Sequence, residues 1–313
     1  MLDIVSLGEC MVELFSEEPI ARAGSFHKAY GGDTLNTLVA AARLGASTGY
    51  ITRVGDDPFA PFLLESWRAE GVDVSHARTV EGFNGLYLIS LLSGGEREFT
   101  YYRSGSAAST MTPADLDPAY IGGARVLHVS GISQAMSPSC RETVLAAVRL
   151  ARERGVLVSY DPNLRRKLWP SLAEARAAMQ EVLPFADIVL PSAPEEMADL
   201  LEVRTPEQGM ERLWTTGVAT VAVKLGDKGC LLGHDGRLVA VPPFVPEAIV
   251  DATGAGDAFD GAFLHGLMSG LSTEGAARLA VVCAALSLRK RGAIGGLAHR
   301  EEAYAVWRAL RRD

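Results

Sequence analysis

Residues 251–260 read Asp251-Ala252-Thr253-Gly254-Ala255-Gly256-Asp257-Ala258-Phe259-Asp260, and the chain then runs into an apolar stretch. Gly254 and Gly256 leave backbone N–H groups unshielded where a helix is expected to begin, and the helix dipole adds partial positive charge there. Gly254, Ala255 and Gly256 therefore form a cradle for an anion. Asp257 sits one step further in, where a carboxylate gains nothing from an anionic guest. It becomes useful if it takes the proton of an attacking hydroxyl while a phosphoryl group passes to that oxygen. The dipole is expected to keep it ionised. Read alone, the same residue could simply serve the first helical turn. Asp260, one turn later, falls on the same face and would stand behind it.

Before this stretch, short apolar runs alternate with amphipathic ones, the pattern of a parallel α/β sheet. Strands are expected over 2–7, 50–54, 126–130, 156–160, 188–190 and 220–225. Helices are expected over 35–44, 58–69, 140–154, 173–182 and 206–215, then 255–268, 276–290 and a terminal segment. One region breaks the rhythm: 86–92 and 96–102 are β-like and flank Ser93-Gly94-Gly95, whose glycines suit a tight hairpin. With 11–15 they would form a small antiparallel sheet, either an ordinary edge hairpin or a flap over a site. The expected fold is α/β, a doubly wound, mostly parallel sheet flanked by helices. It forms one domain over 1–313 with a β-lid built from about 11–30 and 84–103.

Composition narrows the function classes. The 313 residues are 48% apolar and 22% charged, and 30 Lys+Arg against 38 Asp+Glu give a net charge of −8. That balance opposes nucleic-acid and anionic-membrane binding, which need a basic footprint. No apolar run reaches membrane-span length and no secretory leader is visible, so a cytoplasmic protein is expected. The four cysteines, Cys10, Cys140, Cys230 and Cys283, are too scattered for a zinc knot or a disulfide framework. None of the five lysines follows a glycine, which excludes a P-loop. Gly254-x-Gly256 meets Phe259 where a dinucleotide fingerprint needs a third glycine, so a nicotinamide dehydrogenase gains no support.

The string 251–257 resembles the D-T-T-G-A-G-D signature of the ribokinase-like (PfkB) sugar kinases, with Ala252 in place of the first Thr. Gly31-Gly32-Asp33-Thr34-Leu35-Asn36 resembles the family's G-G-x-x-x-N element, and the order of elements fits from residue 2 to beyond 291. The resemblance implies an ATP- and Mg²⁺-dependent kinase with a β-lid, and Asp257 as its base. It also implies a nucleotide site at Lys224-Leu225-Gly226-Asp227-Lys228-Gly229, with Lys224, Gly226, Asp227 and Gly229 beside Gly254 and Gly256. The N-x-x-E element reads Ser192-Ala193-Pro194-Glu195, which keeps Glu195 for metal-bound water and puts Ser192 where Asn is usual. Asp251 and Thr253, with carbonyls near 291–293, would hold a monovalent cation such as K⁺.

Three further segments resemble the branch of the family acting on 2-keto-3-deoxygluconate: Gly85-Leu86-Tyr87, Tyr101-Tyr102-Arg103, and 161–169, which begins Asp161-Pro162-Asn163-Leu164-Arg165. A sugar acid needs a cation in a site closed to water, and a guanidinium can grip a carboxylate bidentately. Arg103 is then expected to clamp the acid end, and Arg165, with Asn163, to span substrate and phosphate. Tyr87 and Tyr101 would close the pocket, Gly32, Asp33 and Asn36 would hold hydroxyls, and Ile132 would form a wall. Gly32 is expected to be small so that backbone can approach the sugar. Arg166 and Lys167 read as surface charge, and His265 as an interior residue. A kinase for a neutral sugar, fructose or ribose, and a non-catalytic sugar-acid sensor remain the alternatives. An exposed lid edge suggests a dimer through paired flaps.

Overall fold

Along the first strand, successive side chains enter opposite apolar layers: Ile4 packs into one and Val5 and Leu7 into the other. Val126 against Leu127 and Val129 repeats the pattern. Strands buried on both faces read as continuous apolar runs, which is how a helix-covered parallel sheet announces itself. The structure, a computed structural model, describes residues 1–91 and 97–310. The expected turn Ser93-Gly94-Gly95, with Leu92 and Glu96 beside it, lies outside the described residues.

The strands are β1 (Leu2–Leu7), β2 (Met11–Ser16), β3 (His27–Gly31), β4 (Thr48–Gly55), β5 (Val72–Val80), β6 (Leu86–Leu91) and β7 (Arg97–Tyr102). They continue as β8 (Ala124–Ser130), β9 (Leu157–Asp161), β10 (Ile188–Val189), β11 (Thr220–Lys224), β12 (Cys230–His234) and β13 (Arg237–Val241). Nine of them form one sheet in the order β13-β12-β11-β10-β9-β8-β1-β4-β5. It is parallel except at β11–β12 and β12–β13. The chain winds outward in both directions from β1 and β8, so the crevice beyond their carboxyl ends is where such a sheet binds ligands.

The second sheet has the order β3-β2-β6-β7. Its outer pairs are antiparallel, while its central pair, β2 with β6, is parallel because the chain between them passes through the large sheet.

Element ends differ from expectation for local reasons. The second-to-last long helix runs Thr273–Ser287, not 276–290, because Ser272 caps it by accepting from Gly275 N. β5 went unrecognised because its edge position leaves much of it polar and partly exposed. β12 and β13 carried a readable signal: Asp235-Gly236 joins them, both residues at positive φ (50° and 72°), the requirement of a two-residue hairpin turn.

Candidate active site

The Ala255–Met268 helix starts at Gly254, whose φ of 79° is left-handed backbone that glycine adopts without strain. Six residues into this helix, a Cβ on Gly261 would lie 2.3 Å from the Thr37 carbonyl oxygen. That glycine lets the helix close onto the Asp33–Leu44 helix. The approach brings Asn36 Nδ2 to 2.7 Å from Asp257 Oδ2, while Asn36 Oδ1 accepts from Gly32 N at 3.3 Å. Asp257 therefore does more than serve its own helix end; its carboxylate is held by a residue from the far end of the chain.

Asp257 is 9% exposed. Burial, with the Asp33 carboxylate nearby, pushes its pKa up to about 7, against the Asn36 hydrogen bond and the Lys224 charge that favour the ionised form. The expectation that the dipole alone would keep it ionised is corrected here: desolvation outweighs it. A carboxyl group poised near neutrality is well matched to proton transfer at that pH. Asp33 is also raised, by burial and by Asp161.

All eight residues expected to meet the substrate line one cavity of about 940 Å³, together with Asp257, Thr253 and Gly254. Gly32, Asp33 and Asn36 come from the start of the first helix, Tyr87, Tyr101 and Arg103 from the lid and the residue after it, Ile132 from beyond β8, and Arg165 from beyond β9. Gly32 is small for a reason beyond the one expected: a Cβ there would meet the Glu9 carbonyl oxygen at 1.9 Å. Tyr87 donates its hydroxyl to Glu13 Oε2 at 2.5 Å and stacks on Tyr101. Its proton is thus committed, and its oxygen is left to accept.

Arg103 does not face the cavity as a spare cation. Its Nη2 lies 2.6 Å from Oε1 of the buried Glu9, although the angle is poor for a hydrogen bond. Arg165 is exposed and donates to its neighbour's carbonyl, Leu164 O, at 3.3 Å; it forms no ion pair among the described residues. Arg166 and Lys167 are exposed as expected, yet both line the cavity, Arg166 being paired with Asp199 at 2.5 Å.

On the other side of the signature turn, the expected nucleotide residues gather at the ends of β10 and β11. Ser192 bridges to Lys224, and Gly226 and Asp227 follow in an exposed turn that closes at Gly229. Asn163, held at φ 38°, donates to Asp33 Oδ2 at 3.3 Å. The Lys224 side chain is a correction. Its ammonium is buried and taken up by Asp161 and Asp260, so it is not offered to a nucleotide.

Glu195 opens its helix on the exposed side, and the carboxylate that turns inward is Glu196. Glu196 accepts from Ser192 N at 2.8 Å and Leu164 N at 2.7 Å, and burial with Asp161 raises it to about 7. Two adjacent glutamates gave no sequence signal as to which one faces in. Glu9 and Glu13 were missed for a similar reason, since a buried carboxylate on a β-strand or corner shows itself only through its partner.

Asp251 braces the turn: Oδ1 accepts from Thr253 N (3.0 Å) and Oγ1 (2.7 Å), and Oδ2 accepts from Gly292 N (2.9 Å). Among the described residues, no group of three or more His, Cys, Asp or Glu is placed to hold a metal ion. A magnesium ion fits here only if most of its ligands come from phosphate and water, which is its usual habit. The open amides of the glycine turn fit the phosphates themselves.

The sheet order, the lid and the buried carboxylate of Asp257 at a helix N-terminus fit the ribokinase-like class of phosphotransferases. A model described as "pfkB family carbohydrate kinase" matches residues 1–300, and the chain belongs to that family. Among curated relatives, Fructokinase-1 of Oryza sativa subsp. japonica is 37% identical, covering 94% of each chain. The 2-dehydro-3-deoxygluconokinase of Thermoproteus tenax is 35% identical, covering 99% of this chain and 95% of its own. Among solved structures, the PfkB protein of Polaromonas sp. JS666 is 32% identical at a TM-score of 0.89, covering 98% of this chain and all of its own. An E. coli protein assigned as a ribokinase II, solved with ATP and Mg²⁺, is 26% identical at 0.91 over the whole of both chains.

Proposed function

We propose that this sugar kinase transfers the γ-phosphoryl group of ATP to the 6-hydroxyl of 2-keto-3-deoxy-D-gluconate. The observation that carries the choice of a sugar acid is Arg165, a guanidinium on the wall of the Asp257 cavity with no carboxylate of its own among the described residues. A neutral sugar has no use for that charge, whereas a carboxylate can take it bidentately. Lys167 lies on the same wall, and Arg103, though tethered to Glu9, keeps further N–H donors.

In the transfer, Asn36 holds Asp257 Oδ2 and leaves Oδ1 for the acceptor hydroxyl. The O–H bond breaks onto Asp257 as the new O–P bond forms, the bond from the γ-phosphorus to the leaving ADP oxygen breaks, and the proton later returns to solvent. Amides of the Gly254–Gly256 turn stabilise the charge on the moving group. Magnesium entering with the nucleotide would offset phosphate charge, and Glu195 or its neighbour Glu196 would be the carboxylate that helps hold it through water. Ser192, Asn163 and the Gly226–Gly229 turn flank the nucleotide, and the lid excludes the water that would compete as acceptor. A monovalent cation at Asp251 and Thr253 belongs to the same proposal and predicts faster turnover in K⁺ than in Na⁺.

Fructokinase-1 of rice, 37% identical, keeps fructose in view as a second acceptor. A coupled ADP-release assay over keto-deoxy sugar acids, fructose and ribose separates the two. The keto-deoxy acid should give the highest kcat/KM, and Arg165→Ala should lower it by the loss of a charged pair that the closed lid would bury, about 2–5 kcal/mol. A higher kcat/KM for fructose, unchanged by Arg165→Ala, would overturn the sugar-acid reading.

A further inference from the structure

Beneath the signature turn lies a buried cation that the transfer just described does not use. Lys224 Nζ donates to Asp161 Oδ2 at 2.8 Å and to Oδ1 and Oδ2 of Asp260 at 3.1 and 3.3 Å. The three residues are 9%, 3% and 0% exposed and come from the end of β11, the end of β9 and the catalytic helix. The ammonium lies 3.6 Å from where a Cβ on Gly256 would be, directly under the anion cradle.

Burying one ammonium against two carboxylates is a poor way to gain stability, since apolar replacements of such sets are often neutral or better. This set is joined to the base on its other side as well. Asp161 Oδ1 accepts from Asn163 N at 3.0 Å, and Asn163 Nδ2 donates to Asp33 Oδ2. Asp33 shares the first turn of its helix with Asn36, which holds Asp257, and Asp257 is followed one turn later on its own helix by Asp260. The polar contacts thus close a ring around the cradle.

We propose that Lys224 is a positioning residue for the phosphoryl transfer: clamped between Asp161 and Asp260, it ties the catalytic helix, one turn beyond Asp257, to two strand ends and sets the charge felt by Asp257. The groups facing Asp257 are Asp33 and Asn36 from the first helix, Asp161 from β9, Lys224 from β11 and Asp260 from its own helix. Asp33 and Asp161 make its ionisation harder, and Lys224 opposes them. Lys224 in turn is held above its ordinary pKa by Asp161 and Asp260 despite burial, so it stays charged throughout the working range.

The inference rests on Asp257 as the base and on membership of the kinase family, but not on which sugar is phosphorylated. The test is therefore run with whichever acceptor the panel shows to be turned over. It reads the acid limb of the kcat/KM profile for Lys224→Met, Lys224→Arg and Asp161→Asn, each checked for folding by thermal melting. All are repeated in a Glu196→Gln background, because Glu196 titrates in the same range. The nucleotide's own ionisation is common to every variant.

Lys224→Met should move the limb to higher pH, with about a tenfold loss of kcat/KM on its acid side for each pH unit the limb moves, recovered at alkaline pH. Asp161→Asn, which removes a negative charge, should move it the other way, and Lys224→Arg should leave it close to the parent. Opposite displacements cannot come from loosened packing alone. If Lys224→Met does not fold, the Asp161→Asn limb decides by itself. A limb that stays at the parent position in the folded variants means that the network is only structural, and the proposal fails.

Discussion

Asn36 and Asp257 stand 221 residues apart in the chain and 2.7 Å apart in the fold, the amide of one donating to the carboxylate of the other. A hydrogen bond to the ionised form favours that form, so Asn36 partly offsets the burial that drives Asp257 toward neutrality. It also fixes which oxygen is free.

Removing the proposed base should separate binding from turnover. Asp257→Ala is expected to lower kcat by about 10²–10⁴ with little change in sugar affinity, checked by steady-state kinetics alongside calorimetric binding. Full activity in this variant would remove Asp257 from the mechanism.

The pH dependence follows from the raised carboxyl. With Asp257 near 7, kcat/KM should fall as pH drops below 7, and Glu196→Gln should leave that limb in place. A limb lost in Glu196→Gln would reassign it. Stability has the opposite sign: the folded form binds the Asp257 proton more tightly than the unfolded chain, so this group's stabilising contribution is complete near pH 4 and declines toward pH 7. Asp257→Asn should therefore be more stable than the parent at pH 8 by up to a few kcal/mol, at about 1.4 kcal/mol for each tenfold difference in proton affinity between the folded and unfolded chain. The gain should vanish at pH 4. Denaturant melts at the two pH values check this.

Gly261→Ala tests the helix contact. Its Cβ would meet the Thr37 carbonyl oxygen at 2.3 Å, forcing the two helices apart. A loss of about 1–3 kcal/mol is expected, with kcat falling more than KM rises because the Asn36–Asp257 contact lengthens.

Tyr87→Phe takes a donor from Glu13 and an acceptor from the cavity wall. A destabilisation of about 1–3 kcal/mol is expected, with the kinetic effect chiefly on the KM for the sugar. A variant whose KM is unchanged would show that the ligand does not reach this oxygen.

The lid leaves Phe99, Tyr101 and Tyr102 40%, 53% and 56% exposed. Apolar surface on an open sheet edge invites a second copy, so a dimer is expected by sedimentation, and Phe99→Ser with Tyr102→Ser should yield monomer.

Local chemistry was legible where one short segment carried it. Gly254, Gly256 and Asp257 announce an anion cradle with a carboxylate in it, and the alternation of apolar runs announces a doubly wound sheet, because period and turn chemistry act over a few residues. The lid strands showed the same way, through β-forming residues around a glycine pair. Asp235-Gly236 was equally legible and marks the β12–β13 hairpin.

Which of two adjacent glutamates turns inward, whether Lys224 meets a nucleotide or two aspartates, and whether Arg103 is spare or already paired depend on side chains that arrive from remote parts of the chain. So does the proton affinity of Asp257. Its helix dipole is written locally, but the desolvation that overrides it exists only once the two helices close at Gly261. The sequence alone determined the kind of chemistry and the sheet that carries it, because both are repeated in local pattern. Charge pairing, exposure and the state of the Asp257 carboxyl were decided by tertiary structure, because electrostatic energy depends on distance and burial, and neither exists before the chain has folded.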